Sequence, residues 1–124
     1  SGVVPWDGGT QRLPRLIGRS RALEMLLSGR MVDGLEAAAM GLIVDSAQSG
    51  NSFHNALLAA RVAETHGPLA VRYLKEAVYK GADLGLDQAM RMEADLATLL
   101  HSTIDRSEGL QAFAERRKPE FHGE

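Results

Sequence analysis

The chain has 124 residues with 14 Lys+Arg against 16 Asp+Glu, and this formal net charge of −2 gives no general case for binding nucleic acid or a membrane surface. The length allows one domain at most, and the absence of cysteine excludes disulfides and thiolate metal sites and fits a reducing compartment, read here as the cytoplasm. No apolar run reaches the roughly 18 residues of a membrane span, and no signal-peptide pattern is present. Apolar residues make up 44% and aromatics only 5%, while Ala, Leu, Met and Glu abound, a composition that favours helix over sheet.

The first element is a turn. Val3-Val4-Pro5-Trp6-Asp7-Gly8-Gly9 joins a β-branched pair to a tight corner, and the basic stretch beginning at Arg12 follows. Gly18 then precedes a helix with Ser20 as its N-cap and Ala22, Leu23, Met25, Leu26 and Leu27 as its buried side, stopped by Ser28-Gly29. Asp33, with Glu36 three residues on, begins an Ala-rich helix over 35–40 that Gly41 ends. Leu42-Ile43-Val44-Asp45 is β-type but too short to make a sheet, and 46–52 is a polar loop. A helix over 53–65 carries Phe53, Leu57, Leu58 and Val62 on one face. His66-Gly67-Pro68 stops it and starts the next, which runs to about Lys80 with Val71, Leu74 and Val78 on one side. The longest helix spans 86–102, and Asp105 caps a last one that Pro119 closes. The result is a mainly α fold of about five to six helices with little or no sheet, whose apolar faces cover one another only in part.

Chemistry is sparse. None of the four histidines has a partner at metal-ligand spacing, so no metal site is expected, and Glu93 and Asp95 lie on different sides of a helix. The Gly8-Gly9 turn can present backbone N–H groups to an anion or a polarised carbonyl. It has neither the Lys-Ser/Thr ending of a P-loop nor dinucleotide-fold glycine spacing, and the plainer reading is a tight corner.

The segment Pro5-x-x-Gly8-Gly9-Thr10-Gln11-Arg12-Leu13-Pro14-Arg15-Leu16-Ile17-Gly18 resembles the signature of the crotonase superfamily, the enoyl-CoA hydratases and isomerases. Further matching stretches follow in order: Ala22 through Arg30, Glu36-Ala37, Gly41-Leu42-Ile43, Gly67-Pro68-Leu69-Ala70-Val71, Lys75-Glu76-Ala77, Asp105 through Phe113 and Glu115 through Phe121. The resemblance covers essentially the whole chain and only the C-terminal portion of the family. It implies that residues 1–18 are the turn and helix start leaving the crotonase core, and that 19–124 form a C-terminal helical, oligomerising region. It also implies that the oxyanion-hole amides and both catalytic glutamates of the hydratases lie upstream of Ser1.

The same resemblance implies an activity and its residues. The substrate class is acyl-CoA thioesters, with no prosthetic group, and the chemistry is enolate stabilisation by backbone N–H donors while carboxylates move protons or activate water. The amide following the family's proline, which helps hold the catalytic water, belongs here to Trp6, where a glycine is usual. Asp7 replaces a small residue and is a candidate acid, base or nucleophile, or else a residue that fixes the turn or caps the helix behind it. Phe113 and Arg116 fall where the family contacts the CoA adenosine, suited to stacking and phosphate pairing, with Lys118 extending the same basic patch, while the spacing alone equally allows Phe113 to pack in the core of the last helix. Expected partners are acyl-CoA and further copies of the chain, as trimers or helix-swapped dimers, with no nucleic acid and no membrane. The alternatives are a truncated, catalytically inactive helical association module, or a chain that needs a complementary N-terminal half.

Overall fold

Helix ends in the first part of the chain are set by the backbone more than by side chains. The computed structural model describes residues 2–45 and 50–124, so the first part of the expected 46–52 loop, 46–49, lies outside the described residues. Among the described residues it contains seven helices and no strand: α1 Gly9–Ile17, α2 Arg19–Ser28, α3 Gly34–Ala39, α4 Ser52–Ala63, α5 Pro68–Gly81, α6 Leu86–Leu100 and α7 Ile104–Glu115. The chain divides into two compact units, Ser1–Ala56 and Leu57–Glu124, with α4 crossing the boundary. The mainly helical class expected from composition is therefore what the fold shows.

In the first unit, α1 is the helix that the residue pattern did not separate from the opening turn. Pro14 lies inside it and has no N–H to return to the preceding turn, yet the helix continues to Ile17. Gly18 (φ 82, ψ 159) then closes α1 and opens α2 in one residue: its N–H donates to Pro14 O at 3.0 Å, and its carbonyl accepts from Ala22 N at 3.1 Å. That backbone region is essentially restricted to glycine. Ser20 accordingly sits in the first turn of α2 rather than at its cap, because the chain is already helical at Arg19. α1 and α2 pack together, and Ala22 is wholly buried, whereas Leu23 and Leu27 of its expected buried side are exposed.

Asp33 caps α3 as expected, its Oδ1 accepting from Glu36 N at 2.8 Å. The reciprocal half of a capping box is absent, because the Glu36 carboxylate pairs with Arg30 Nη1 at 2.7 Å. Arg30 Nε meets Glu24 Oε1 at 2.8 Å, so one guanidinium joins the end of α2 to the start of α3. This hydrogen bond holds the Glu24 carboxyl below its usual range. Beyond α3, the Leu42 N–H donates to Ala37 O at 2.9 Å and the Gly41 N–H to Ala38 O at 3.0 Å, a Schellman closure with Gly41 left-handed. Residues 42–44 then form a bend, and Val3 and Val4 are exposed coil.

In the second unit, Pro68 opens α5 at its first position behind Gly67, where a missing N–H costs nothing. α5 and α6 pack side by side, and Gly81 brings them close: a Cβ there would touch Ala89 Cβ and Met92 Cε at 3.6 Å. Their apolar faces leave an open groove of about 700 Å³ lined by Val71, Leu74, Val78, Leu86, Met90 and Leu100, among others.

The end of the chain folds back along α7. Thr103, not Asp105, caps this helix, its hydroxyl accepting from Arg106 N at 3.1 Å. Asp105 (6% exposed) instead accepts from the backbone N–H of His122 at 2.7 Å and of Gly123 at 2.9 Å. The Ile104 and Asp105 amides return to Glu124 O at 2.7 and 3.2 Å. The Phe121 ring fills the space left by two glycines, lying 3.6 Å from where a Cβ of Gly109 would be and 3.8 Å from that of Gly67.

Asp105→Ala should strand two amides and remove a buried charged acceptor, costing about 2–4 kcal/mol. Urea unfolding would measure this, and hydrogen exchange should show faster opening of the His122 and Gly123 amides while α6 stays protected.

Candidate functional site

The sequence-derived candidates fall at two stations, one in each unit. At the first, the chain turns through Trp6, Asp7 and Gly8 into α1. Asp7 (φ 58) and Gly8 (φ 86) are both left-handed, and Asp is one of the few side chains that tolerate this. The Trp6 carbonyl accepts from Gly9 N at 3.4 Å, and the Gly8 carbonyl accepts from Gln11 N at 3.0 Å and Arg12 N at 2.7 Å.

These bonds use carbonyls only. Among the described residues, no backbone acceptor meets the amides of Trp6, Asp7 or Gly8. Gly8, not Asp7, is the N-cap residue, and among the described residues the Asp7 carboxylate accepts no hydrogen bond from the first turn of α1, so Asp7 shapes the turn through its backbone. Two close approaches fix the corner. A Cβ on Gly9 would lie 3.0 Å from Pro5 Cβ, and one on Gly8 would lie 3.0 Å from Arg12 Nε, which places that guanidinium over the turn. Trp6 is 88% exposed, so the indole is a surface feature within its unit.

The second station is the end of α7. Here Phe113 is 85% exposed, and the helix closes through Arg116 in the left-handed region (φ 56, ψ 35). The Arg116 N–H donates to Phe113 O at 3.2 Å and the Arg117 N–H to Ala112 O at 3.0 Å, the same closure that Gly41 makes after α3. Arginine has no conformational advantage there, and a non-glycine residue in that region costs on the order of 1 kcal/mol or more.

The residue pattern gave no means of separating the three consecutive cations, but the geometry separates them. Arg117 forks onto Glu108, Nη1 to Oε1 at 2.6 Å and Nη2 to Oε2 at 2.8 Å, and its Nε meets Glu115 Oε2 at 2.7 Å. Arg116 and Lys118 enter no ion pair among the described residues. Glu108 also accepts the Glu120 N–H at 2.8 Å. The Arg117 fork, with the Glu120 amide second, depresses the Glu108 carboxyl to about 2, and the same pairing raises the Arg117 guanidinium. Sequence reasoning missed both Glu108 and Asp105 as anchors. The available signal was two acids three apart on α7, facing a tail rich in backbone donors.

Phe113, Arg116 and Lys118 thus share one helix end, and Trp6 and Asp7 share one turn. Among the described residues no three His, Asp or Glu side chains gather in a manner that could hold a metal ion, and no helix is long and apolar enough to cross a membrane.

Comparison with known proteins finds relatives that match nearly the whole of this chain. The family model for enoyl-CoA hydratase/isomerase matches residues 1–124. Mitochondrial methylglutaconyl-CoA hydratase of Mus musculus is 42% identical over 126 residues, covering 98% of this chain and 40% of the relative. The 2,3-dehydroadipyl-CoA hydratase of Escherichia coli K12 is 38% identical over 122 residues, with 98% and 48% covered. The crystal structure of enoyl-CoA hydratase from Bacillus anthracis superposes with a TM-score of 0.93 at 40% identity, over 99% of this chain and 48% of that one. The chain therefore spans less than half the length of each of these relatives.

Glu108 gives the site a pH signature. Its folded pKa of about 2 lies below the ordinary 4.5, so its contribution is complete above pH 4.5 and is lost as pH falls from there toward 2. The Glu120 amide shift of the folded chain, followed by NMR, should titrate with a midpoint near the folded value of about 2 rather than near 4.5, and Glu108→Gln should abolish the transition at that amide.

Proposed function

Because the chain belongs to the enoyl-CoA hydratase/isomerase family, we propose that it supplies the C-terminal part of a protein acting on acyl-CoA thioesters by enolate stabilisation. The observation that carries this reading is the opening turn, whose Trp6, Asp7 and Gly8 amides meet no backbone acceptor among the described residues. Preorganised N–H donors of this kind stabilise charge that develops on a bound oxygen, at little reorganisation cost. In this reading the Trp6 N–H orients the attacking water, and Asp7, a carboxylate that caps nothing, is the candidate proton carrier beside it.

Residues 1–18 would then be the edge of the catalytic core and 19–124 the helical region that follows it. The oxyanion amides and catalytic glutamates would come from the part of the family fold that this chain does not span. At the end of α7, Phe113 would stack on the adenine while Arg116 and Lys118 meet phosphate. The thioester is substrate, no prosthetic group is involved, and the cysteine-free composition suits a cytoplasmic setting.

A second reading is a helical association module without catalysis of its own, and the open apolar groove between α5 and α6 favours it. Burying that groove against further copies, in a trimer or a helix-swapped dimer, would remove apolar surface from water.

Calorimetric titration of the chain with CoA separates the claims. Saturable binding at or below about 1 mM is expected, weakened about five- to tenfold by Arg116→Ala and by Lys118→Ala. No saturation at millimolar CoA removes the nucleotide site from the reading. In a crotonyl-CoA hydration assay the chain alone should give no turnover, and measurable turnover would dismiss the association-module reading.

A further inference from the structure

Three cations follow one another after α7, and among the described residues only the middle one enters ion pairs. Arg117 is heavily committed: besides its fork onto Glu108 and its Nε contact with Glu115, Nη1 donates to the Lys118 carbonyl at 3.2 Å. The same Glu108 that holds it also holds the Glu120 amide. One carboxylate on α7 therefore ties down residues 117 and 120, on either side of Lys118. Immediately before the first tie lies Arg116, held at φ 56, a conformation an arginine does not adopt without support from its surroundings.

We propose that Glu108 is a positioning residue for an anion grip at the end of α7. By occupying Arg117 and pinning the returning tail, it fixes the left-handed turn and leaves Arg116 and Lys118 unpaired for the phosphates of a nucleotide. This rests on the CoA reading above and adds to it the residue that organises the phosphate contacts without touching the ligand. It also assigns opposite tasks to adjacent arginines: Arg117 is internal structure, and Arg116 is the contact. A bidentate guanidinium–carboxylate fork suits the internal task, since it fixes orientation as well as distance.

The test uses adenosine 3′,5′-bisphosphate, the phosphorylated nucleoside portion of CoA, with adenosine as its uncharged counterpart, both titrated by NMR into the full chain. The wild-type chain should bind the bisphosphate saturably. Glu108→Gln should weaken that binding about tenfold while changing adenosine affinity by less than about twofold, and should speed exchange of the Glu120 amide. A general loss of structure would weaken both ligands alike, and that result counts against positioning. Arg117→Lys keeps the charge and loses the fork, so it should move bisphosphate binding the same way, by about threefold, and it decides the matter by the same criterion should Glu108→Gln not fold. Unchanged or tighter bisphosphate binding in the folded variants overturns the positioning role, since a released Arg117 would then simply add a cation. A wild-type chain that binds no bisphosphate overturns the CoA reading itself, an outcome distinct from failure of the variants.

Discussion

Asp105 and Glu108 stand three residues apart on α7, on one face of the helix, and both spend their oxygens on the chain's own end. A buried carboxylate is costly unless its oxygens are met, and the backbone N–H groups of His122 and Gly123 meet those of Asp105. Glu108, further along the helix, takes a guanidinium and an amide. Together they run the tail antiparallel to α7 and set Phe121 against Gly67 and Gly109. The left-handed closure at Arg116 and the separation of bound from unbound cations both depend on this return.

Much of the helical layout was legible because its signals are local. Pro68 at a helix start, Gly29 and Gly41 at helix ends, and Asp33 at a cap each act within about one turn of their own position. α1 was legible only as a helix start within 1–18: Gly8-Gly9 marks the corner at its N-terminus, and Pro14, which lies inside the helix, conceals its length. Asp105 was read as a cap because Asp near a helix start usually is one. Its true partners lie 17 and 18 residues away, and no local pattern reports them. The same holds at the site: the basic run 116–118 is plain in the sequence, but which cation is consumed depends on a carboxylate nine residues before Arg117. At the opening turn the Gly-Gly corner could be read, whereas the left-handed Asp7 could not, because its neighbours impose it. The functional reading came from family resemblance, which carries chemistry that spacing alone does not.

The helices have more apolar surface than they cover for one another. Leu74 and Val78 of α5 and Leu86 and Met90 of α6 remain largely exposed, and α4 has no buried residue. Apolar area of this kind, contiguous along a groove, is unusual on a self-sufficient domain. It accords with a chain that spans less than half the length of its relatives. Within the first unit the Arg30 bridge joins α2 to α3, and within the second the tail is held on α7.

Gly18 has a mechanical consequence. A single residue ends α1 and begins α2, so the direction of the opening turn relative to α2 is set by one pair of dihedral angles and by the packing of the two helices. α1 is nine residues long, a lever of about 13 Å at the usual helical rise. A change of about 20° at that joint would swing the far end by roughly 5 Å, more than the length of a hydrogen bond. The dihedral angles of Gly18, together with the packing of α1 on α2, thus set where the Trp6–Asp7 turn lies relative to α2.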